Sequence, residues 1–297
     1  MPNAVTQSSS LKKSTTVRSM IPRLLQLAFR TAAQVAPATT ERGAASLFFT
    51  PRRRRPRSPF VAGLPRGSHV IPFREGTLRA WSWGVGPVVL LAHGWEGDAA
   101  QLRALVAPLV AEGYRVVAFD MPAHGASTGA QVHVVDMARA ITVVSHALGP
   151  LHAVIAHSLG GAATALALSE GLRARRVVLL APAAEPTFFA RRAAETMGLP
   201  DEHRDAMLRR IEERFGQPLA TLDVRALAPR LRSEALVMHD PEDREVPWEH
   251  GLGIAEAWPG ARLERLTGLG HRRLLHDPHV LAQTVAFIDG AALRRSL

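Results

Sequence analysis

The stretch Leu151–Ala162, LHAVIAHSLGGA, joins a short apolar run to a serine flanked by small residues. The run Ala153–Ala156 is typical of a buried strand, and the apolar residues that follow the two glycines predict a helix. A serine at the apex of a strand–turn–helix unit is the context that a nucleophile elbow requires. The small residues Ala156 and Gly160 stand two places before and after it, where the strand end and the helix start come close. Ser158 is therefore a candidate nucleophile.

The composition limits the class of protein. The chain has 297 residues, of which 47% are hydrophobic and 21% charged, which suits one α/β domain or one domain with an insertion. There is no cysteine, so disulfides, thiolate metal sites and a cysteine nucleophile are excluded. No apolar run approaches the roughly 20 residues of a membrane-spanning helix, and the polar start lacks the apolar core of a secretory signal. We therefore expect a soluble, cytoplasmic protein.

The net charge of +10 belongs to the start of the chain. Residues 1–60 contain 11 Lys or Arg and a single acid, Glu41, whereas residues 61–297 contain 25 basic and 25 acidic residues. We predict two parts: a basic N-terminal extension over residues 1–60, partly disordered and partly helical, and a folded domain over residues 61–297.

An amphipathic helix is predicted between Ile21 and Val35, after a disordered segment over residues 1–18. A second apolar patch, Ala44–Phe49, precedes the basic run 51–57. One interpretation is an arm that contacts a membrane surface or another polyanion. The other is a pair of helices that pack their apolar faces on the domain and are followed by a solvated basic linker, which is the commoner outcome of such patterns. Peripheral membrane contact stays open, and no specific nucleic acid is expected as a partner.

Strand patterns alternate with helix patterns along residues 61–297. The strands are predicted at His69–Phe73, Leu78–Trp83, Pro87–Ala92, Arg115–Phe119, Ala153–Ala156, Arg176–Ala181, Ala235–Met238 and Arg262–Leu266. Helices are predicted after Asp98 as N-cap, at Val134–Leu148, at Trp248–Trp258 and at Pro278–Asp289. This alternation implies right-handed βαβ units and a parallel sheet. Residues 187–232 are helical and rich in charge, which predicts either a lid at the carboxyl edge of the sheet or ordinary connecting helices.

The loops at the carboxyl ends of parallel strands collect functional groups. Two glycines precede His271 and allow a tight turn that brings an imidazole toward Ser158. The loop after Met238 offers Asp240 and Asp243 as acids that could orient this base. The order serine, aspartate, histidine along the chain separates one serine-hydrolase layout from the others.

Five motifs in this order resemble the serine-nucleophile α/β-hydrolase fold family, in its esterase, lipase and aminopeptidase-like branch. They are His93-Gly94-Trp95, Asp120-x-Pro122-x-His124-Gly125-x-Ser127, His157-Ser158-x-Gly160-Gly161, Asp243-x-x-Val246-Pro247 and Gly270-His271. The resemblance covers residues 61–297 and implies an α/β fold with a mostly parallel central sheet, helices on both faces and a small helical lid. In this family the acid stands three residues before a Val-Pro pair, which selects Asp243 over Asp240. Ala123 and Ala156 depart from the pattern, because glycine is commoner at both places.

The resemblance implies hydrolysis of carboxylic esters through an acyl-enzyme on Ser158, with a small-molecule acyl substrate and without a cofactor or metal. His271 would act as the general base and Asp243 would orient it. The backbone N–H groups of Trp95 and Leu159 would form the oxyanion hole. The alternatives are an amidase or aminopeptidase-like hydrolase of the same fold and a non-catalytic ligand-binding homologue. The acyl and leaving groups and the oligomeric state stay open.

Each site residue also has a purely structural interpretation. Ser158 could cap a helix, since serine favours that position. Asp240 or Glu185 could replace Asp243 as the acid, and His271 could be a structural loop residue. The neighbouring histidines are expected to stabilise loops or shape the pocket rather than to react: His93, His124 and His157.

Overall fold

The computed structural model describes residues 23–24, 26–52, 59 and 61–290 of the chain. The predictions for residues 1–18, for Ile21 and Leu25 and for the basic run 53–57 lie outside the described residues. The chain forms two compact units. Unit 1 combines the N-terminal residues up to Phe48 with Thr187–Gln217, and unit 2 contains Phe49–Pro186 and the chain from Pro218 onward.

Unit 2 is built on an eight-stranded sheet. Its strands are β1 (Gly67–Phe73), β2 (Gly76–Trp83), β3 (Val88–Ala92), β4 (Arg115–Phe119), β5 (Leu151–His157), β6 (Ala174–Leu180), β7 (Glu234–His239) and β8 (Arg262–Arg265). They lie in the order β1-β2-β4-β3-β5-β6-β7-β8. β2 pairs antiparallel with both β1 and β4, and every other neighbouring pair is parallel. The predicted mostly parallel sheet is confirmed.

The helices, in chain order, are α1 (residues 26–35), α2 (Pro37–Phe48), α3 (Val106–Ala111), α4 (Val134–Leu148), α5 (Leu159–Ser169), α6 (Pro186–Met197), α7 (Asp201–Phe215), α8 (Val224–Leu227), α9 (Trp248–Ala257), α10 (Gly270–Arg273) and α11 (Pro278–Asp289). Short 3-10 turns cover Ala99–Leu105, Leu219–Leu222, Ala228–Arg230 and Leu274–His276. In the described part of the chain, we find no helix both long and apolar enough to cross a bilayer.

Helices cover both faces of the sheet, so its central strands are apolar throughout. All five residues of β3 are buried, and side chains along a strand alternate between the two faces. Val89 and Leu91 join one hydrophobic core with residues of α3 and α11, and Leu90 between them faces the opposite side. The parallel strands therefore present all their carboxyl ends at one edge.

Local capping explains why two helices have the predicted bounds. His133 and Asp136 form a reciprocal capping box at the start of α4. The first turn of α11 donates two backbone N–H groups to the Asp277 carboxylate, and proline occupies its first position. The helix expected after Asp98 differs, because it begins as a 3-10 turn and the Asp98 side chain makes no capping bond. The Ala99 N–H instead donates to Asp120 at 2.7 Å, a contact 21 residues away in sequence.

Unit 1 contains a buried carboxylate that links α2 to α7. Glu41 on α2 accepts hydrogen bonds from His203 at 3.0 Å and from Arg210 at 3.1 and 3.2 Å, both on α7. Ala44 and Ala45 are buried, as the packing interpretation of this patch predicts. The same interpretation is wrong for α1, because its predicted stripe (Ala28, Ala32 and Val35, with Leu24 just before it) is exposed.

The insertion between β6 and β7 contains α6, α7 and α8, so the helical character predicted for residues 187–232 is correct. Residues 187–217 group with the N-terminal helices, whereas residues 218–232 belong to unit 2. A separate 1–60 extension, a 61–297 domain and a lid over 187–232 stay predictions.

Candidate active site

Ser158 lies at the turn between β5 and α5 in a strained conformation. Its φ of 54° and ψ of −123° are unusual for a residue with a side chain, at a cost of about 1–3 kcal/mol. Its N–H donates to the carbonyl of Leu180 at 3.0 Å, which fixes the turn against β6. Although Ser158 occupies the N-cap position of α5, its side chain makes no capping hydrogen bond. The helix-cap interpretation is therefore wrong.

The turn packs against the end of β3. A Cβ atom on Gly160 would lie 2.5 Å from the carbonyl oxygen of His93 and 2.6 Å from that of Ala92. A Cβ atom on Gly94 would lie 2.9 Å from the Ser158 Cβ. Gly160 is thus required by its close contact with the end of β3, a contact that the sequence did not lead us to expect. Ala156 lies within β5 and needs no glycine conformation.

The imidazole of His271 is held by Asp243. Nδ1 of His271 donates to Oδ2 of Asp243 at 2.7 Å, and both side chains are almost fully buried. Oδ1 of the same carboxylate accepts the backbone N–H groups of Glu245 at 2.7 Å and Val246 at 3.0 Å. Burial alone would raise the pKa of Asp243, but hydrogen bonds from two histidines outweigh it and hold the pKa well below its ordinary value. The carboxylate is therefore ionised at neutral pH.

Asp240, the other candidate acid of this loop, has a different task. Its Oδ2 accepts the backbone N–H groups of Leu269 and Gly270, and its Oδ1 accepts that of Glu242 at 2.9 Å. Burial works against the ionised form of Asp240, and these three bonds nevertheless lower its pKa. Asp240 thus anchors the backbone of the loop that precedes His271.

Glu185, the third candidate acid, accepts a hydrogen bond from Nη2 of Arg225 at 2.9 Å. The same guanidinium also bonds Asp223. The geometry therefore associates Asp243, rather than Asp240 or Glu185, with the imidazole of His271.

His157 connects the serine turn to the base. Its Nε2 donates to the carbonyl of His271 at 2.9 Å, and the two rings lie 4.6 Å apart. Burial lowers the pKa of His157 to about 3, so this imidazole is neutral. The residue directly before Ser158 thus supports the backbone of His271, whose imidazole is hydrogen-bonded to Asp243.

The two predicted oxyanion donors border the same turn. Leu159 is the first residue of α5, where N–H groups have no acceptor inside the helix and the helix dipole is positive. Trp95 follows Gly94, whose backbone lies against Ser158. The indole of Trp95 contacts the ring of His124 edge-on, with 5.4 Å between centroids.

Two histidines tie the loops after β3 and β4 together, as predicted. His93 donates from Nδ1 to the Gly94 carbonyl at 2.7 Å and accepts the Met121 N–H at Nε2 at 2.9 Å. His124 accepts the Glu96 N–H at 3.0 Å and donates to the Pro122 carbonyl at 2.9 Å. Both rings therefore form hydrogen bonds with backbone groups, and these bonds shape the loop that carries Trp95.

Backbone strain gathers at this edge of the sheet. Four non-glycine residues with positive φ follow four strands in turn: Glu96 at 54°, Ala123 at 62°, Ser158 at 54° and Ala181 at 45°. Such conformations cluster at functional sites, where contacts with the surrounding structure hold the backbone in them despite their energetic cost. Ala123, one of the two departures from the family pattern, thus occupies a conformation that favours glycine.

His239 has a role that the sequence reasoning missed. It is fully buried at the end of β7, where its Nε2 donates to the Val246 carbonyl at 3.1 Å and lies 3.4 Å from Oδ2 of Asp243. It therefore lies close to the same carboxylate oxygen that His271 contacts. The available signal was a lone histidine that ends an apolar strand, four residues before Asp243.

Within the described ranges, we find no group of three or more His, Asp or Glu side chains arranged to hold a metal ion. The site thus combines an imidazole oriented by Asp243 with a strained serine, and the residue before that serine contacts the imidazole ring.

Comparison with known proteins identifies relatives of the chain. The sequence profile of the alpha/beta hydrolase family matches residues 88–284. A putative carbamate hydrolase of Pseudomonas savastanoi is 36% identical over 81 residues, which are 27% of this chain and 29% of that protein. The 2-hydroxy-6-oxo-6-phenylhexa-2,4-dienoate hydrolase of Delftia acidovorans is 26% identical over 227 residues, covering 61% of this chain and 79% of the relative.

The fold is also found among solved structures. An esterase of Pyrococcus furiosus superposes with a TM-score of 0.65 at 18% identity and covers 82% of this chain and 97% of its own. At this identity the likeness concerns the fold alone.

Proposed function

Because the chain belongs to the alpha/beta hydrolase family, we propose that it is a serine hydrolase that cleaves carboxylic esters through an acyl-enzyme on Ser158. The observation that carries the proposal is the buried hydrogen bond of 2.7 Å between Asp243 and Nδ1 of His271. That bond fixes the proton on Nδ1 and leaves Nε2 as a proton acceptor. The substrate is a small molecule with an acyl group, and no cofactor takes part.

In the first half of the reaction, Nε2 of His271 takes the proton of the Ser158 hydroxyl while the oxygen attacks the ester carbonyl. The carbonyl oxygen becomes an anion that the backbone N–H groups of Leu159 and Trp95 stabilise. The intermediate then collapses, the bond to the alcohol oxygen breaks, and His271 returns the proton to the departing alcohol. The acyl group stays on Ser158.

In the second half, His271 takes a proton from water, and the oxygen of that water attacks the acyl carbonyl at the same oxyanion site. Collapse breaks the bond to Ser158, which recovers its proton from His271, and the carboxylic acid leaves. Each turnover consumes one ester and one water and releases one acid and one alcohol.

Asp243 would stabilise the imidazolium that exists during both halves. Its lowered pKa keeps it anionic, and its second oxygen is held by two backbone N–H groups. A positive imidazolium in a buried site gains most from a fixed negative partner. Esters are the less demanding substrates for this set of groups, because an alcohol leaves more readily than an amine.

The test is turnover of p-nitrophenyl esters by the full chain and by Ser158→Ala. The variant should lose at least about 10³-fold in kcat. Ser169→Ala is a matched control, because it makes the same change at the last residue of α5 and should leave kcat unaltered. Equal rates for the full chain and Ser158→Ala would overturn the proposal. Turnover of p-nitroanilides at the rate of the esters would overturn the ester assignment and favour an amidase.

A further inference from the structure

Helix α1, with the residues just before it, exposes a row of large apolar side chains. Leu24 is 59% exposed, Leu27 60% and Val35 81%. At 3.6 residues per turn, positions 24, 27 and 35 fall within about 80° of one another around the helix axis. They therefore form one apolar face, which we call the α1 face.

The opposite side of α1 accounts for this orientation. Ala33 is buried, and Gln26 donates from its side chain to the Thr196 carbonyl at 3.2 Å. Arg30 donates to the Gly198 carbonyl at 3.4 Å. A Cβ atom on Gly198 would lie 3.0 Å from the Cα atom of Gln26, so the two backbones approach closely. α1 thus packs in unit 1 through its polar and small residues and leaves the α1 face to solvent.

The N-terminal part of unit 1 carries mostly positive charge, whereas residues 187–217 of the same unit contain six Arg and six Asp or Glu. Among the described residues up to Phe48, the charged side chains are Arg23, Arg30, Glu41 and Arg42. Glu41 is only 8% exposed and is hydrogen-bonded to Arg210, whereas the three arginines are exposed. In sequence, residues 1–60 carry a net charge of +10. The chain segment that carries the α1 face is therefore basic.

We propose that the α1 face docks this protein on an anionic membrane surface. Leu24, Leu27 and Val35 would enter the boundary between head groups and acyl chains, and the exposed Arg23 beside Leu24 would contact lipid phosphates. An apolar face with basic flanks is the pattern by which a helix lies in the plane of a bilayer.

The combination of charge and apolar exposure selects this partner. A nucleic acid would satisfy the arginines and leave the apolar face in water. A second copy of the chain would cover the apolar face but would bring two basic N-terminal segments together, which like charges oppose. The proposal does not depend on ester hydrolysis.

Flotation of the full chain with vesicles tests the proposal, using phosphatidylcholine alone or mixed with phosphatidylglycerol. The wild type should float with the mixed vesicles, bind those of phosphatidylcholine more weakly, and bind less as salt is added. Val35→Glu should lower binding to the mixed vesicles by about tenfold or more, because it replaces an aliphatic group that would enter the bilayer with a negative charge that anionic lipids repel. Val35→Leu should bind at least as well as the wild type.

Val85→Glu is the matched control, because Val85 is 84% exposed and belongs to unit 2. It should bind like the wild type, and thermal unfolding monitored by circular dichroism should show that all variants are folded. The proposal is overturned if the wild type stays unbound to both kinds of vesicle, or if Val35→Glu and Val85→Glu lower binding equally. It is also overturned if Val35→Glu converts a dimer into a monomer without changing vesicle binding.

Discussion

Replacing Asp243 with asparagine tests how the base is oriented, since it removes one charge with almost no change of shape. Oδ1 of Asp243 accepts two backbone N–H groups, so the amide oxygen of the variant should stay there. The NH₂ group then takes the place of Oδ2 and faces Nδ1 of His271. Because an amide NH₂ only donates, His271 must carry its proton on Nε2 instead of Nδ1. A protonated Nε2 is unable to accept the hydroxyl proton of Ser158.

The expected loss of kcat is large, because His271 in the wrong tautomer is unable to act as the general base although its side chain stays in place. A loss of about 10⁴-fold in kcat corresponds to about 5.5 kcal/mol of transition-state stabilisation. KM for the ester should change little, since Asp243 is proposed to touch the imidazole and not the substrate. Steady-state hydrolysis of p-nitrophenyl esters, with substrate varied, separates the two constants.

Asp240→Asn is the matched control, because Asp240 is equally buried and stands three residues earlier in the same loop. Its carboxylate holds only backbone N–H groups, three of them, and one would face the new NH₂ group. We expect kcat within about tenfold of the wild type and a loss of about 1–3 kcal/mol in the free energy of unfolding. The reasoning is refuted if a folded Asp240→Asn loses as much activity as Asp243→Asn, or if the latter keeps wild-type kcat.

Three further predictions concern stability. The pKa of His157 is about 3 in the folded chain and about 6.5 when unfolded, so below pH 6.5 the unfolded state binds the proton first. The free energy of unfolding should therefore fall by up to about 1.4 kcal/mol per pH unit toward pH 3, and His157→Gln should flatten this slope in urea titrations. Gly160→Ala should lower the free energy of unfolding by about 1–3 kcal/mol, because the added Cβ meets backbone carbonyls. Gly43→Ala, which has open space around it in α2, should raise that free energy by about 0.5–1 kcal/mol. Equal effects of the two substitutions in chemical denaturation would contradict this. Glu41→Gln should lower the free energy of unfolding by about 1–3 kcal/mol, because it weakens the hydrogen bonds from Arg210. An unchanged thermal unfolding temperature would show that these hydrogen bonds do not stabilise the fold.

The sheet could be predicted from the sequence because its central strands are apolar on both faces. Short continuous apolar runs of this kind are typical of buried parallel strands. β3 and β7 were found within one residue of their bounds for this reason. α4 and α11 were predicted with their observed ends because their caps are local, formed by residues up to three positions apart.

Features fixed by distant contacts were harder to predict. Asp98 occupies the N-cap position of the turn that begins at Ala99, as predicted, but the carboxylate that accepts the Ala99 N–H is that of Asp120, just after β4. The choice between Asp240 and Asp243 depends on contacts with a loop almost 30 residues away, and only the family pattern favoured Asp243 beforehand. The apolar stripe of α1 gave no sign of whether it is buried, because a packing helix and a membrane-facing helix share the same periodicity.

The central claim is that Ser158 is the nucleophile of an acyl-transfer reaction, and covalent labelling tests it most directly. The full chain and Ser158→Ala would be treated with a fluorophosphonate, and intact mass and peptide mapping would locate the adduct. We predict one adduct on Ser158 in the wild type, none in Ser158→Ala, and much slower labelling in Asp243→Asn. An unlabelled wild type that still hydrolyses esters, or an adduct on another residue, would contradict the claim.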